Sequence, residues 1–326
     1  MNKNVNIGIL GTANIAFRSV IPAILKLDRK FTLSGISSRD NKKNAFVNEN
    51  FQCPLIVGYE NLVNDPLIEA IYIPLPNSLH FEWINKALLS GKHVLVEKSL
   101  GCSLKEVDFL TSLAREKNLV LLENFQFRFH NQLAVLKNLI LENQIGDLRC
   151  LRASFGFPPF SDSTNIRYDS ELGGGALLDA GAYTTKVSQL LLGYGLEVKA
   201  ANLNSYNNSQ VEIWGGAYLS DPQTGNFAEL AFGFDNFYQC GIELWGSKGK
   251  IFTNRLFTAP DGFSPEIIIE DSNGKRMLNV PPENHFEKML NHFYDLICGN
   301  INSDDEHIQN LDQARLLNDI KNKANE

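Results

Sequence analysis

Up to about Asn124 the chain alternates short apolar runs with segments whose apolar residues recur at helical spacing. A run such as Val5–Leu10 is too short for a helix and suits a strand buried on both faces of a parallel sheet. The same reading places strands at Phe31–Ile36, Leu55–Val57, Ala70–Pro74, His93–Val96 and Leu119–Leu122. Helical patterns cover Ile15–Leu27 and Phe81–Ser90, the second stopped by Gly91. Ser103-Leu104-Lys105-Glu106 reads as a capping box that opens a helix to about Lys117.

Beyond Asn124 the pattern changes. Longer β-rich segments, Arg149–Phe155, Val211–Leu219, Phe227–Phe234 and Gln239–Leu244, are separated by Gly, Asn and Asp, and predict antiparallel strands. Helices are expected at Gln132–Leu141, Ala176–Leu192, Glu283–Ile297 and Asp304–Lys323. The expected organisation is an α/β domain over residues 1–124 and an α+β domain over residues 125–326.

Composition narrows the chemistry. The 326 residues suit two domains, and a net charge of -7 without a basic stripe argues against nucleic acid as a partner. The start, MNKNVNIGIL, lacks the pattern of a signal peptide, and no apolar stretch reaches the ~18 residues of a membrane helix. Cys53, Cys102, Cys150, Cys240 and Cys298 are scattered and odd in number, as expected of reduced thiols in a cytoplasmic protein. His285 and His292 have no partners at ligand spacing, and no catalytic metal is expected.

The first chemical signal follows the first strand. Gly11-Thr12-Ala13-Asn14-Ile15-Ala16 is a variant of G-x-G-x-x-G in which Ala13 and Ala16 keep the turn small enough for a pyrophosphate to approach a helix N-terminus. The second strand runs into Ser37-Ser38-Arg39-Asp40. An acidic residue there would grip the ribose hydroxyls of NAD; Ser38 and Arg39 instead offer a hydroxyl and a guanidinium to a 2′-phosphate. NADP(H) is therefore expected over NAD(H). The plainer alternative makes Asp40 the cap of the next helix and leaves Arg39 solvated.

Three segments in order carry a family resemblance. They are Ile71-Tyr72-Ile73-Pro74-Leu75-Pro76-Asn77-Ser78-Leu79-His80, then Gly91-Lys92-His93-Val94-Leu95-Val96-Glu97-Lys98, then Gly173-Gly174-Gly175-Ala176-Leu177-Leu178-Asp179-Ala180-Gly181-Ala182-Tyr183. Together they resemble the Gfo/Idh/MocA oxidoreductases over nearly the whole chain. The resemblance implies an α/β Rossmann domain followed by an α+β domain with a large, mainly antiparallel open sheet. That sheet is often used for oligomerisation, so a homodimer or homotetramer through it is expected. The family's Glu-Lys-Pro motif falls on Glu97-Lys98-Ser99, which makes Lys98 the catalytic lysine and puts Ser99 in the place of proline. In the family that Lys-Pro peptide is commonly cis. Tyr183 resembles the glucose–fructose oxidoreductase, dihydrodiol dehydrogenase and nucleotide-sugar ketoreductase branches. Glu123–His130 matches a segment at the start of the family's second domain, with Asn131 where proline normally follows.

These residues together suggest a hydride transfer between nicotinamide and a sugar-like ketone or alcohol. Tyr183 is the expected proton donor, and a nearby Lys98 ammonium would lower its pKa and polarise the substrate oxygen. Asp179 would orient substrate hydroxyls or hold Lys98. Gly11, Thr12, Ala13, Asn14, Ile15, Ser38, Arg39, Pro74, Asn77, His80, Glu97 and Lys98 are the candidate cofactor residues. Arg128 and Arg167 join Lys98, Asp179 and Tyr183 as candidate substrate residues. Taken singly, each has a structural alternative: a solvated lysine, a core tyrosine, a turn aspartate, a histidine in a helix's first turn, a surface arginine. The leading expectation is a reductase of a nucleotide-linked keto sugar. Alternatives are a polyol or dihydrodiol dehydrogenase, a glycosidase using transient oxidation, and an inactive NADP-sensing module.

Overall fold

The computed structural model describes residues 3–162 and 164–326. The chain forms two compact units, Met1–Asn124 with Phe286–Leu311, and Phe125–His285 with Asp312–Glu326. The return of 286–311 to the first unit is absent from the sequence reading.

The first unit holds a parallel sheet of β1 (Val5–Leu10), β2 (Phe31–Ser38), β3 (Leu55–Val57), β4 (Ala70–Ile73), β5 (His93–Glu97) and β6 (Leu121–Asn124). Their order is β3-β2-β1-β4-β5-β6. Progress along the sheet reverses between β1 and β4, and a crevice at the carboxyl ends of the strands at such a point is the usual ligand site of open α/β sheets. Ile7, Ile9, Ile71, Ile73, Val94 and Val96 are all fully buried, so both faces of the sheet are covered. The connections carry α1 (Ile21–Lys26), α2 (Asn44–Phe51), α3 (Tyr59–Val63), α4 (Asn77–Leu89) and α5 (Leu104–Lys117). The helix expected at Ile15–Leu27 divides into a π-helical turn, Ala16–Val20, and α1. Pro22 stands at the junction and brings no N–H to an α-helical ladder. At α5 the Ser103 hydroxyl accepts the Glu106 N–H at 3.3 Å, while Glu106 accepts the Cys102 N–H at 2.7 Å.

The second unit holds β7 (Leu148–Gly156), β8 (Glu197–Asn204), β9 (Trp214–Ser220), β10 (Phe227–Gly233), β11 (Gln239–Gly246), β12 (Gly249–Asn254), β13 (Glu266–Asp271) and β14 (Gly274–Asn279). They lie in the order β14-β13-β12-β11-β7-β10-β9-β8, antiparallel except where β7 meets β10. The alternation of strand side chains sends Leu151, Ala153, Phe155, Leu230, Phe232, Ile242 and Leu244 into the core. After α6 (Asn131–Leu141), α7 (Ala182–Leu192) packs on β7 and β10. Toward the end of the chain come α8 (His285–Ile297) and α9 (Asp304–Ala324). Within the first unit, Phe293 and Tyr294 lay their rings against Phe31, and the Tyr294 hydroxyl donates to the Lys3 carbonyl at 2.6 Å. None of the described helices is long and apolar enough to cross a membrane.

Candidate active site

At the end of β1 the chain turns at Gly11 with φ +116°, a conformation side chains resist, and a Cβ there would lie 2.9 Å from Leu75 Cδ2. The Ala13 carbonyl then accepts the N–H groups of Ala16 and Phe17, which starts the helical turn; Asn14 is exposed, and Thr12 and Ile15 are half-buried. Ser38 ends β2, buried, and Arg39 beside it is exposed. Asp40 accepts the Lys42 N–H at 3.0 Å and pairs with its ammonium at 3.3 Å, contacts that hold its carboxyl below the usual range. It closes a turn rather than capping α2, which begins at Asn44. Lys43, which the sequence reading omitted, donates from Nζ to the Thr12 carbonyl at 3.0 Å and lies over the Phe17 ring. A small-residue turn opening a helix beside β4, with Ser38, Arg39 and Lys43 at its margin, fits a dinucleotide carrying an extra phosphate.

The segment bearing Lys98 is tied down from several sides. The Lys98–Ser99 peptide bond is cis. The Ser99 N–H donates to Asn77 Oδ1 at 3.2 Å, and the Leu100 N–H donates to Glu123 Oε1 at 2.8 Å. His80 is fully buried, with Nδ1 2.7 Å from the Ser99 carbonyl and Nε2 2.8 Å from that of Leu75. Burial pushes its pKa down to about 4, and the two carbonyls pull the other way, because the neutral ring brings one N–H to two acceptors. Glu97 Oε1 accepts from the Tyr72 hydroxyl at 2.5 Å and from Asn124 Nδ2 at 2.6 Å. Burial raises its carboxyl against those bonds and the charge of Lys98. Pro74 is buried at the end of β4. Asn77, His80 and Glu97 thus act on the protein around Lys98, which itself is half-buried.

In the second unit the Gly-rich segment is anchored by Glu212, also absent from the sequence reading. Its backbone carbonyl accepts the Ala176 N–H at 2.9 Å and its carboxylate accepts the Leu177 N–H at 3.0 Å, while burial raises its pKa. Gly175 has φ +112°, and a Cβ on it would fall 2.3 Å from Glu212 Oε1. Leu177–Gly181 forms a π-helical turn before α7. Asp179 in that turn meets Arg167 Nε at 2.5 Å, and the Arg167 guanidinium lies over the Phe160 ring at 4.9 Å. Burial opposes the Arg167 cation, but Asp179, with smaller contributions from Tyr183 and Tyr168, raises its pKa.

Tyr183 opens α7 and is 8% exposed. Phe125, Phe127, Phe155 and Phe257 surround its ring at centroid distances of 5.6, 5.8, 5.1 and 5.8 Å. Its hydroxyl lies 3.4 Å from both amide atoms of Gln126. The second unit therefore brings together Arg167, Asp179 and Tyr183 of the expected residues; Arg128 stacks on its neighbour Phe129. Gln126 lies inside Glu123–His130, but nothing in its spacing points to Tyr183. Glu212 gave no signal at all.

Comparison with known proteins places the chain in a family. The model of the oxidoreductase family with NAD-binding Rossmann fold matches residues 5–125, and that of the GFO/IDH/MocA C-terminal domain matches residues 133–252. A dTDP-3,4-didehydro-2,6-dideoxy-α-D-glucose 3-reductase of Saccharopolyspora spinosa is 39% identical over 90% of this chain and 87% of its own. An enzyme of the same name from Actinomadura kijaniata is 34% identical over 98% and 96%. The solved structure of a 3-ketoreductase from Actinomadura kijaniata, in complex with NADP and TDP-benzene, superposes with a TM-score of 0.94 at 33% identity, covering 98% of each chain. With both halves of the chain matched and relatives alike along nearly all of it, the chain belongs to the Gfo/Idh/MocA oxidoreductases.

Proposed function

We propose that the chain is an NADPH-dependent reductase of a keto group on a nucleotide-linked sugar, with Lys98 and Tyr183 as its acid-base pair. The reading is carried by one conjunction. Lys98 on its anchored segment and Tyr183 beside Arg167 and Asp179 are all present in a chain alike, across 98% of its length, to a 3-ketoreductase crystallised with NADP. A nicotinamide dinucleotide, when bound, supplies the hydride. Gly11 to Ile15 would hold its pyrophosphate at the helix N-terminus, and Ser38 with Arg39 its 2′-phosphate. Tyr183 donates the proton to the substrate oxygen. Lys98 polarises that oxygen and stabilises the phenolate left behind. Asp179, paired to Arg167, accepts hydrogen bonds from sugar hydroxyls.

Turnover with NADPH and dTDP-3,4-didehydro-2,6-dideoxy-α-D-glucose tests this. Lys98→Ala and Tyr183→Phe should each lower kcat at least a hundredfold, about the weight of a general acid, with NADPH affinity within a few-fold of wild type. Near wild-type turnover in both variants defeats the pairing. A wild type that ignores this substrate but reduces or oxidises a free sugar or dihydrodiol defeats the substrate class. Tight NADPH binding without any turnover points instead to a sensing module. We further propose that the outer face of the second unit's sheet joins copies of the chain into a homo-oligomer.

A further inference from the structure

Tyr183 sits among apolar rings. Four phenylalanine rings enclose it, and such rings offer a phenolate no hydrogen bond. A proton donor placed there needs a dipole that meets the negative oxygen. Gln126, buried in the 3-10 turn Gln126–Phe129, brings one from the second unit's first residues. Its Oε1 and Nε2 both stand 3.4 Å from the Tyr183 hydroxyl, and Nε2 also donates to the Phe257 carbonyl at 3.3 Å, which fixes the direction of the amide.

From this geometry we propose that Gln126 is a positioning residue serving both protonation states of Tyr183. Oε1 accepts the phenol O–H until substrate binds and the O–H turns to the substrate oxygen. An Nε2 hydrogen meets the phenolate after it. A carboxamide has two N–H groups, so the Phe257 bond leaves one for the tyrosine. The inference rests on the ketoreductase reading above.

In the step it supports, a reduced nicotinamide, when bound, would supply a hydride, with its electron pair, to the carbonyl carbon. The carbonyl π pair moves onto oxygen, and that oxygen takes the Tyr183 proton. The O–H bonding pair stays on the phenolate, which solvent later reprotonates. Hydrogen bonds of this kind are long before charge develops and tighten as it does. Among the charged groups near Tyr183 are Arg167, whose charge interacts with it, with its partner Asp179, and Lys186, over the Phe125 ring on α7. The Arg167–Asp179 pair has no net charge, and the Gln126 amide stands within 3.4 Å of the hydroxyl itself. Lys98 adds its charge in the proposed mechanism.

Two variants separate this role from packing. Gln126→Met keeps the length and removes both polar atoms; Gln126→Glu keeps an acceptor and removes the donor. Both are assayed with NADPH and dTDP-3,4-didehydro-2,6-dideoxy-α-D-glucose from neutral to alkaline pH. The alkaline limb of kcat, where Tyr183 loses its acid proton, should move up by about one unit in Gln126→Met, with plateau kcat about tenfold lower. In Gln126→Glu the limb should move further, because a second negative charge disfavours the phenolate. KM for NADPH should not change. A limb that stays in place in both variants, with NADPH affinity and Tm at wild-type values, overturns the proposal. If Gln126→Met does not fold, an unmoved limb in Gln126→Glu alone overturns it. Wild-type turnover in Tyr183→Phe is a different failure: it removes the acid-base reading, and the role of Gln126 falls with it.

Discussion

In the proposed reading, Arg39 is the residue on which the choice of cofactor turns. NAD presents ribose hydroxyls that want an acceptor, whereas NADP presents a phosphate that wants donors and positive charge. The acidic group nearest this place, Asp40, is committed to the Lys42 turn, which leaves Ser38, Arg39 and Lys43 to set the local character. Removing one charge-assisted bond costs about 1.5–3 kcal/mol, so Arg39→Ala should raise KM for NADPH about ten- to a hundredfold and leave that for NADH nearly unmoved. Steady-state kinetics with both cofactors check this, and an equal change in the two would show that Arg39 does not read the phosphate. Residues such as Arg39, Lys98 and Tyr183 could be singled out as candidates in the sequence because their chemistry restricts the residue type and the motif restricts the place. Gln126, Glu212 and Lys43 could not, because each acts by satisfying another group that folding brings near. His80 shows the same limit from the other side. Its position in the motif was plain, but only the structure shows both ring nitrogens turned to the carbonyls of Leu75 and Ser99.

At the scale of elements, the start of α7 is where structure and chemistry are most tightly joined. A helix N-terminus leaves N–H groups without intrahelical partners, and here Glu212 meets those of Ala176 and Leu177 with a carbonyl and a carboxylate. The π-helical turn that follows carries Asp179, and α7 carries Tyr183. Glu212→Ala leaves the buried Leu177 N–H without its acceptor, a loss of about 1–3 kcal/mol. Urea unfolding should report that loss, and turnover should fall with KM for NADPH unchanged. A variant as stable as wild type would mean that solvent replaces the carboxylate. The elements that could be read ahead were those with strong apolar periodicity: β1, β4, β5, α5, α7 and the last two helices lie close to where the pattern put them. The helix after Asp40 was expected without bounds, and the Asn-rich sequence of α2 gave none; missed were the short α3, and β8, β12, β13 and β14 toward the edges of the second sheet. Edge strands bury less, so their apolar pattern is faint; every residue of β14 is exposed. The parallel pairing of β7 with β10 could not be read either, since alternation tells which face a residue takes but not the direction of its neighbour.

For the molecule as a whole, the outer face of the second sheet is the feature that the fold of one copy does not explain. The buried face is continuous from β9 to β12, yet the opposite face carries Tyr218, Trp245 and Phe252, each more than a third exposed. Between them Arg152 bridges Glu229 and Glu243 at 2.6 and 2.7 Å and lies over the Trp245 ring, so these three charges are already paired. A surface of aromatic groups with its polar atoms satisfied loses little on leaving water, and a flat sheet face packs well against a copy of itself about a twofold axis. The net charge of -7 opposes association most at low ionic strength, so added salt should favour it. Light scattering should therefore find a single oligomeric species. Trp245→Glu combined with Phe252→Glu should shift it toward monomer, because two unpaired carboxylates per copy would have to be buried. Since an oligomer is stabilised by mass action, Tm of the wild type should rise with protein concentration while that of the double variant should not. A wild type that stays monomeric at all concentrations, with a Tm indifferent to dilution, would assign this face to some other partner.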